Sequence, residues 1–118
     1  MQIETKFDKY NQIFFTYKTT EGYAAYKPGE IQGINFLTKF NENYMDVKIS
    51  YFIWYDPIEH NTRTTVSEME VPENNVFKTE KEAAATCAET NHEILEKIEL
   101  QRKTVIDKIA EQEKVAAK

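Results

Sequence analysis

The fold is decided by the last third of the chain, residues 79–118, which read TEKEAAATCAETNHEILEKIELQRKTVIDKIAEQEKVAAK. This stretch contains no Gly and no Pro, the residues that most often interrupt a helix. Its side chains at alternating intervals of four and three residues fall on one face of an α-helix. That face, called the seam below, consists of Ala84, Ala88, Asn91, Leu95, Ile98, Arg102, Val105 and Ile109. We expect the chain to be organised around a helix whose largely apolar seam needs something to pack against.

The helix start is marked by a capping box, in which Thr79 caps the first turn and Glu82 reaches back to the Thr79 N–H. A second box begins at Thr90. The segment could therefore be one helix of about forty residues, about 58 Å long at 1.5 Å per residue. It could also be a short helix to about Glu89 followed by a long one from Asn91. The second box slightly favours the break.

Residues 1–78 are rich in aromatic and β-branched side chains that alternate with polar ones, a pattern typical of strands. Strands are predicted at 12–19, 23–27, 30–40, 45–54 and 62–71, with a short apolar pair at 76–77. Gly22 indicates a tight turn over 19–22, Pro28 and Gly29 indicate a break, and Gly33 indicates a bulge. The fold class is therefore α+β, an antiparallel sheet of about five to six strands followed by one long or two C-terminal helices.

The clearest strand covers residues 45–54, where apolar and polar side chains alternate regularly. Phe52 and Trp54 make its second face apolar as well, which is typical of a strand covered on both sides. We expect this strand to be central, with the helix on one face and Trp54 buried beneath it.

Composition limits the classes of function. At 118 residues the chain suffices for a single domain over 1–118, with a sheet part (1–78) and a helical part (79–118). Its net charge of -5 argues against binding to duplex nucleic acid. Because Cys87 is the only cysteine, no intramolecular disulfide forms and an intracellular compartment is expected. The sequence has no apolar run of the roughly twenty residues needed to cross a membrane.

The helical part is too long for the sheet to cover. A sheet unit of this size has a radius of gyration of only about 11 Å. The seam through Val105 and Ile109 would then remain exposed unless another copy covered it. We therefore predict a homo-oligomer, at least a dimer, held together through the C-terminal helices.

Two polar residues in the seam are candidates for binding. Asn91 and Arg102 could set the register of a helix pair, or they could line a pocket between subunits that holds an acidic ligand. Phe77 could stack on a base, although a residue there more often docks a helix, and Arg63 is more often a solvated edge charge. An aromatic ring, an amide and guanidinium groups together suit a small nucleotide.

Signs of catalysis are weak. The histidines His60 and His92 have no paired metal-ligand spacing, and Cys87 lies among alanines without a His or Asn partner. The sequence has no Gly-rich phosphate loop. We predict a protein that is not an enzyme and that uses no metal or cofactor.

The sheet opens at Lys6-Phe7-Asp8, and Val76-Phe77-Lys78-Thr79 lead into the helical region. This order of parts resembles that of small phage proteins with an SH3-like sheet and a helical tail. Among these the chain is similar to the Thoeris anti-defence sponge family, whose members sequester cyclic ADP-ribose signals made by TIR enzymes. The resemblance implies a twisted SH3-like sheet, the cytoplasm of a host bacterium and a nucleotide that is bound without being altered.

In that family an aromatic before the first helix, an early helical asparagine and later arginines contact the nucleotide. Phe77, Asn91 and Arg102 occupy comparable places here. The chain departs from the family in having only one helical arginine, for which Lys103 and Lys108 could substitute. Two other functions remain open: an acidic module that inhibits or scaffolds a protein partner, for example an anti-CRISPR-like inhibitor, and an SH3-like nucleic-acid adaptor, against which the acidic charge counts.

Overall fold

The computed structural model describes residues 3–40, 42–56 and 67–118. These residues form a five-stranded antiparallel sheet followed by one long helix, which confirms the α+β class. The strands are β1 (Gln12–Lys18), β2 (Ala24–Phe40), β3 (Met45–Tyr55), β4 (Ser67–Pro72) and β5 (Val76–Phe77), and the helix is α1 (Glu80–Ala116). The sheet order is β4-β3-β2-β1-β5, so the last strand returns to pair with the first, as in SH3-like sheets. A 3₁₀ turn at Glu73–Asn75 carries the chain from β4 to β5.

The hairpin between β1 and β2 closes where the sequence predicted it. The Thr19 N–H donates to the Tyr23 carbonyl at 2.8 Å, and the Gly22 N–H donates to the Thr19 carbonyl at 3.0 Å. Gly22 has φ of 96°, a conformation that glycine adopts without the steric cost of a Cβ.

Strand β2 runs unbroken through Pro28 and Gly29, so the predicted break was wrong. Pairing with β3 begins only at Glu30, which lies opposite Trp54, and the missing N–H of Pro28 therefore removes no bond to β3. Gly29 is needed for a close approach, because a Cβ there would lie 2.5 Å from Cγ2 of Ile53.

The predicted bulge at Gly33 is confirmed, since the register moves from Ile31 opposite Ile53 to Gly33 opposite Phe52. Beyond it, β2 and β3 continue past their other neighbours. Strand β1 pairs with β2 only as far as Glu30, and β4 pairs with β3 only over residues 50–55. Residues 36–40 and 45–49 therefore form a two-stranded ribbon that projects from the sheet.

The core lies on one face of the sheet, where side chains from all five strands pack together. Its buried members are Ile13, Phe15, Ile31, Tyr51, Ile53, Val71 and Val76. Tyr51 is fully buried, and its hydroxyl accepts a hydrogen bond from the Phe7 N–H at 3.3 Å and donates one to Glu73. This tyrosine ties the N-terminal segment and the 3₁₀ turn to the core.

Helix α1 covers the opposite face of the sheet, where it packs mainly against β1, β2 and β5. The expectation that it covers β3 was wrong, because β2 is the middle strand and β3 lies one strand further from the helix. Trp54 is accordingly 45% exposed, and its indole N–H donates to Glu68 at 3.1 Å.

The helix is continuous over its 37 residues, so the predicted break near Thr90 was wrong. The Thr79 cap is confirmed: its hydroxyl accepts from the Glu82 N–H at 3.3 Å and donates to the Glu82 carboxylate at 3.1 Å. No helical segment in the described part of the chain combines the length and apolar character needed to cross a bilayer.

Candidate binding surface on helix α1

The first half of α1 docks on the sheet through small residues. Ala83 is fully buried and Cys87 is 6% exposed, and both let the helix backbone approach the strands closely. Asn91 and Ile94 continue this contact and are half-buried. The seam residues Ala84 and Ala88 therefore border the docked face instead of forming it.

Asn91 fixes the helix to the edge of the sheet. Its amide oxygen accepts from the Ala24 N–H at 2.7 Å, and its amide nitrogen donates to the Ala24 carbonyl at 3.0 Å. One side chain thus satisfies both backbone groups of the first residue of β2. The helix continues through the second capping box without interruption.

The second half of α1 leaves the sheet. Every residue from Leu95 to Lys118 is exposed, and residues 95–116, called the arm below, extend for about 33 Å at 1.5 Å per residue. The arm carries large apolar side chains that are between 46% and 69% exposed: Leu95, Ile98, Leu100, Val105, Ile106, Ile109 and Val115. An apolar surface of this extent is typical of an interaction site.

The structure does not bring the predicted ligand-binding residues together within one chain. Arg102 and Lys103 lie on the arm, and Arg102 is about 16 Å from Asn91 along the helix axis. Phe77 is half-buried opposite Phe14 in the β1–β5 ladder, before the helix begins. Arg63 lies outside the described residues. Within one chain, the Asn91 and Arg102 side chains therefore lie on different parts of the helix.

An open cleft of about 840 Å³ runs between the seam side of α1 and the first half of β2. Its walls include Phe14, Tyr26, Ala84, Ala88 and Asn91. We call it the α1–β2 cleft. The one sequence signal of this cleft is Phe14, the single apolar residue on the otherwise polar face of β1. Because Pro28 lies directly opposite Phe14 in the ladder, the two residues share the helix-covered face.

The electrostatics of this cleft do not suit phosphate. The Tyr26 hydroxyl donates to the Glu80 carboxylate at 2.9 Å, and this hydrogen bond raises the pKa of Tyr26. Glu80 and Asp56 both line the cleft, together with the cation Lys27. The cations predicted to hold phosphate are on the arm instead.

On the other side of the helix, a smaller cleft of about 350 Å³ is lined by Thr16, Cys87, Thr90, Ile94 and Lys97, among others. Burial raises the pKa of the Cys87 thiol, which favours the protonated form over the nucleophilic thiolate. In the described part of the chain, no group of three or more His, Cys, Asp or Glu side chains is placed to hold a metal ion.

Comparison of the chain with protein-family models, curated proteins and solved structures finds no match.

Proposed function

We propose that this chain is a non-catalytic binding protein that works as a homo-oligomer assembled through the arm of α1. The supporting observation is the exposed apolar side of the arm, which extends for about 33 Å beyond the sheet. A helix of this kind gains stability by packing its amphipathic face, and no part of the described sheet reaches it. A second copy of the arm is the simplest cover.

For the ligand we propose a small nucleotide of the cyclic ADP-ribose type, which the protein sequesters as a sponge and so inhibits host antiphage defence. The resemblance to the Thoeris anti-defence family implies this class. One feature of the structure supports an anionic ligand: among the described residues, neither Arg102 nor Lys103 forms an ion pair. Both cations are exposed in the protomer, where phosphate can reach them.

The test measures assembly and ligand binding separately. Light scattering at micromolar concentration is expected to give a mass of at least a dimer. Thermal unfolding is then followed with isomers of cyclic ADP-ribose, because a ligand that binds only the folded state raises the melting temperature. Heating the complex should release the nucleotide chemically intact.

Arg102→Ala identifies the phosphate contact, with Lys114→Ala as the matched control that removes one positive charge from the last turn of the helix. Loss of a charge-assisted hydrogen bond of about 1.5 to 3 kcal/mol should weaken nucleotide binding roughly tenfold to more than a hundredfold. The control should bind as the wild type does. An unchanged affinity in Arg102→Ala would remove Arg102 from the ligand site, and a lowered melting temperature with unchanged affinity would assign it to assembly.

A protein partner is the second candidate, and the ribbon favours it. Phe40 is 79% exposed, Phe36 is 44% exposed and Tyr44, in the loop between the two strands, is 64% exposed. Phe36 lies opposite Ile49 and Phe40 opposite Met45, so one face of the ribbon is largely apolar. No thermal shift with any cyclic ADP-ribose isomer would favour an acidic inhibitor of a protein over a sponge.

A further inference from the structure

We infer that two copies of the chain pair their helices antiparallel, so that the arm of each copy lies in the α1–β2 cleft of the other. This inference rests on the proposed assembly through the arm and adds its direction, its register and the surface that receives it. The surface is the part of the seam that borders the cleft, Ala84, Ala88 and Asn91.

The register follows from the side-chain sizes along the seam. An antiparallel pair centred between Leu95 and Ile98 places these two residues opposite each other. The same register places Ala88 opposite the partner's Val105 and Ala84 opposite the partner's Ile109. Each small residue then faces a large one, which fills the layers evenly, as a close-packed helix interface requires. The overlap covers residues 84–109 of both chains, about 38 Å of helix.

A parallel pair fits the same residues poorly. It would put Ala84 and Ala88 against their own copies and leave gaps in two layers. It would also place Arg102 directly against the partner's Arg102, and like charges facing each other in an apolar seam are unfavourable. In the antiparallel register the partner's Arg102 faces Asn91. The Asn91 amide oxygen accepts one bond from Ala24 at 2.7 Å and has a second lone pair for the guanidinium.

Access to the cleft also favours the antiparallel pair. The cleft lies between α1 and a strand and is open to solvent, so a helix can enter it only if no sheet is attached to that helix at the same level. The arm meets this condition, since its residues are exposed on all sides. The segment that contains Ala83 and Cys87 does not, because its own sheet already covers it.

Charges along the flanks agree with this direction. The antiparallel register brings His92 next to the partner's Glu99.

The test is disulfide trapping in a Cys87→Ala background, which removes the native thiol. Ala88→Cys together with Val105→Cys should give a covalent dimer under mild oxidation, because the two positions face each other between chains. Ala88→Cys alone should not, because its own copy would be about 26 Å away along the axis. Both positions are exposed in the protomer, so the variants should fold.

A size swap provides the second measurement. Ala88→Val and Val105→Ala should each raise the dimer dissociation constant roughly tenfold or more, and the double variant should restore it toward the wild-type value.

Three results would overturn the register. They are efficient cross-linking of Ala88→Cys alone, no cross-linking of the double cysteine variant in a protein that is still dimeric, and additive losses in the size swap. A monomer by light scattering would instead overturn the proposed assembly itself, so the two failures are distinguishable.

Discussion

Asn91 is the residue whose role the structure describes most directly. Its two hydrogen bonds to Ala24 link the helix to the sheet near the end of the docked segment of α1. Asn91→Ala should lower the free energy of unfolding by about 1 to 3 kcal/mol, because two partly buried backbone groups lose their partner. Urea unfolding monitored by circular dichroism measures this change.

Asn91→Asp is the informative companion variant. A carboxylate can still accept from the Ala24 N–H but cannot donate to the Ala24 carbonyl, so we expect a loss at least as large as that of Asn91→Ala. Unchanged stability in both variants, with weaker nucleotide binding, would assign Asn91 to the ligand and not to the fold.

Tyr51 gives a prediction about pH. Burial and the hydrogen bond to Glu73 raise the pKa of Tyr51 from its ordinary value of 10.0 to about 12. The folded state therefore keeps the tyrosine proton that the unfolded state loses above pH 10. The corresponding stabilisation is fully present below pH 10 and is lost as the pH rises through about 12.

Tyr51→Phe should remove this part of the alkaline destabilisation. It should also cost about 1 to 3 kcal/mol at pH 8, since the Phe7 N–H and the Glu73 carboxylate lose the hydroxyl. The measurement is urea unfolding of both proteins at intervals from pH 8 to 12. Parallel pH profiles for the two proteins would show that Tyr51 does not titrate as proposed.

At the scale of elements, β2 is the strand that the sequence described least well. Pro28 and Gly29 were interpreted as a break, yet the strand continues because its pairing with β3 starts two residues later. A proline or glycine in the sequence shows where a residue disfavours regular strand pairing. It does not show whether a neighbouring strand is paired at that position, and in β2 this pairing determines whether the strand continues.

Gly29 tests this explanation. Gly29→Ala should destabilise the protein by about 1 to 3 kcal/mol, because the new methyl group would lie 2.5 Å from Ile53 in a packed core. Gly33→Ala is the control, since its nearest contact would be 3.3 Å from the edge of the Phe52 ring. Equal effects of the two substitutions would mean that the backbone freedom of glycine, and not the close approach, explains Gly29.

The sequence predicted that a long helix packs on the sheet, but it did not predict which strands the helix covers. The Thr79 cap and the long uninterrupted pattern correctly indicated where α1 begins, and Gly33 correctly indicated a bulge. The face that α1 covers was assigned to β3 because Phe52 and Trp54 are apolar. Phe14, on the helix-covered face of β1, is the residue that indicates the true position of the helix. As a single apolar residue on a polar face, it was a weaker signal than the two aromatic residues of β3.

The candidate site was likewise predictable only in part. Asn91 and Arg102 stood out as polar residues in an apolar seam, and both are indeed on one continuous helix. Their separation along that helix depends on its being unbroken, and the second capping box had slightly favoured a break. The α1–β2 cleft was not predictable, because the residues of β2 and of α1 that line it lie more than fifty positions apart in the chain.

At the scale of the whole molecule, the protomer is far from compact. Its radius of gyration is 20.8 Å, with extents of 68 × 52 × 23 Å. A compact chain of this length would have a radius of gyration of about 13 Å. The difference comes from the arm and the ribbon, which both project from the sheet and both expose apolar side chains. A protomer of this shape gains stability by association, and its stability should therefore depend on protein concentration.

Ile98→Asp combined with Val105→Asp tests which projection holds the copies together. The two side chains are 54% and 57% exposed in the protomer, so the substitutions should leave the sheet domain folded. In an assembled seam they would place charges in an apolar interface, which is strongly unfavourable without a partner. Light scattering should then show a monomer at concentrations where the wild type is dimeric.

Phe40→Asp is the matched control, because Phe40 is 79% exposed on the ribbon and its loss should leave the dimer intact. The opposite pattern, with Phe40→Asp monomeric and the double arm variant dimeric, would transfer the assembly surface from the arm to the ribbon.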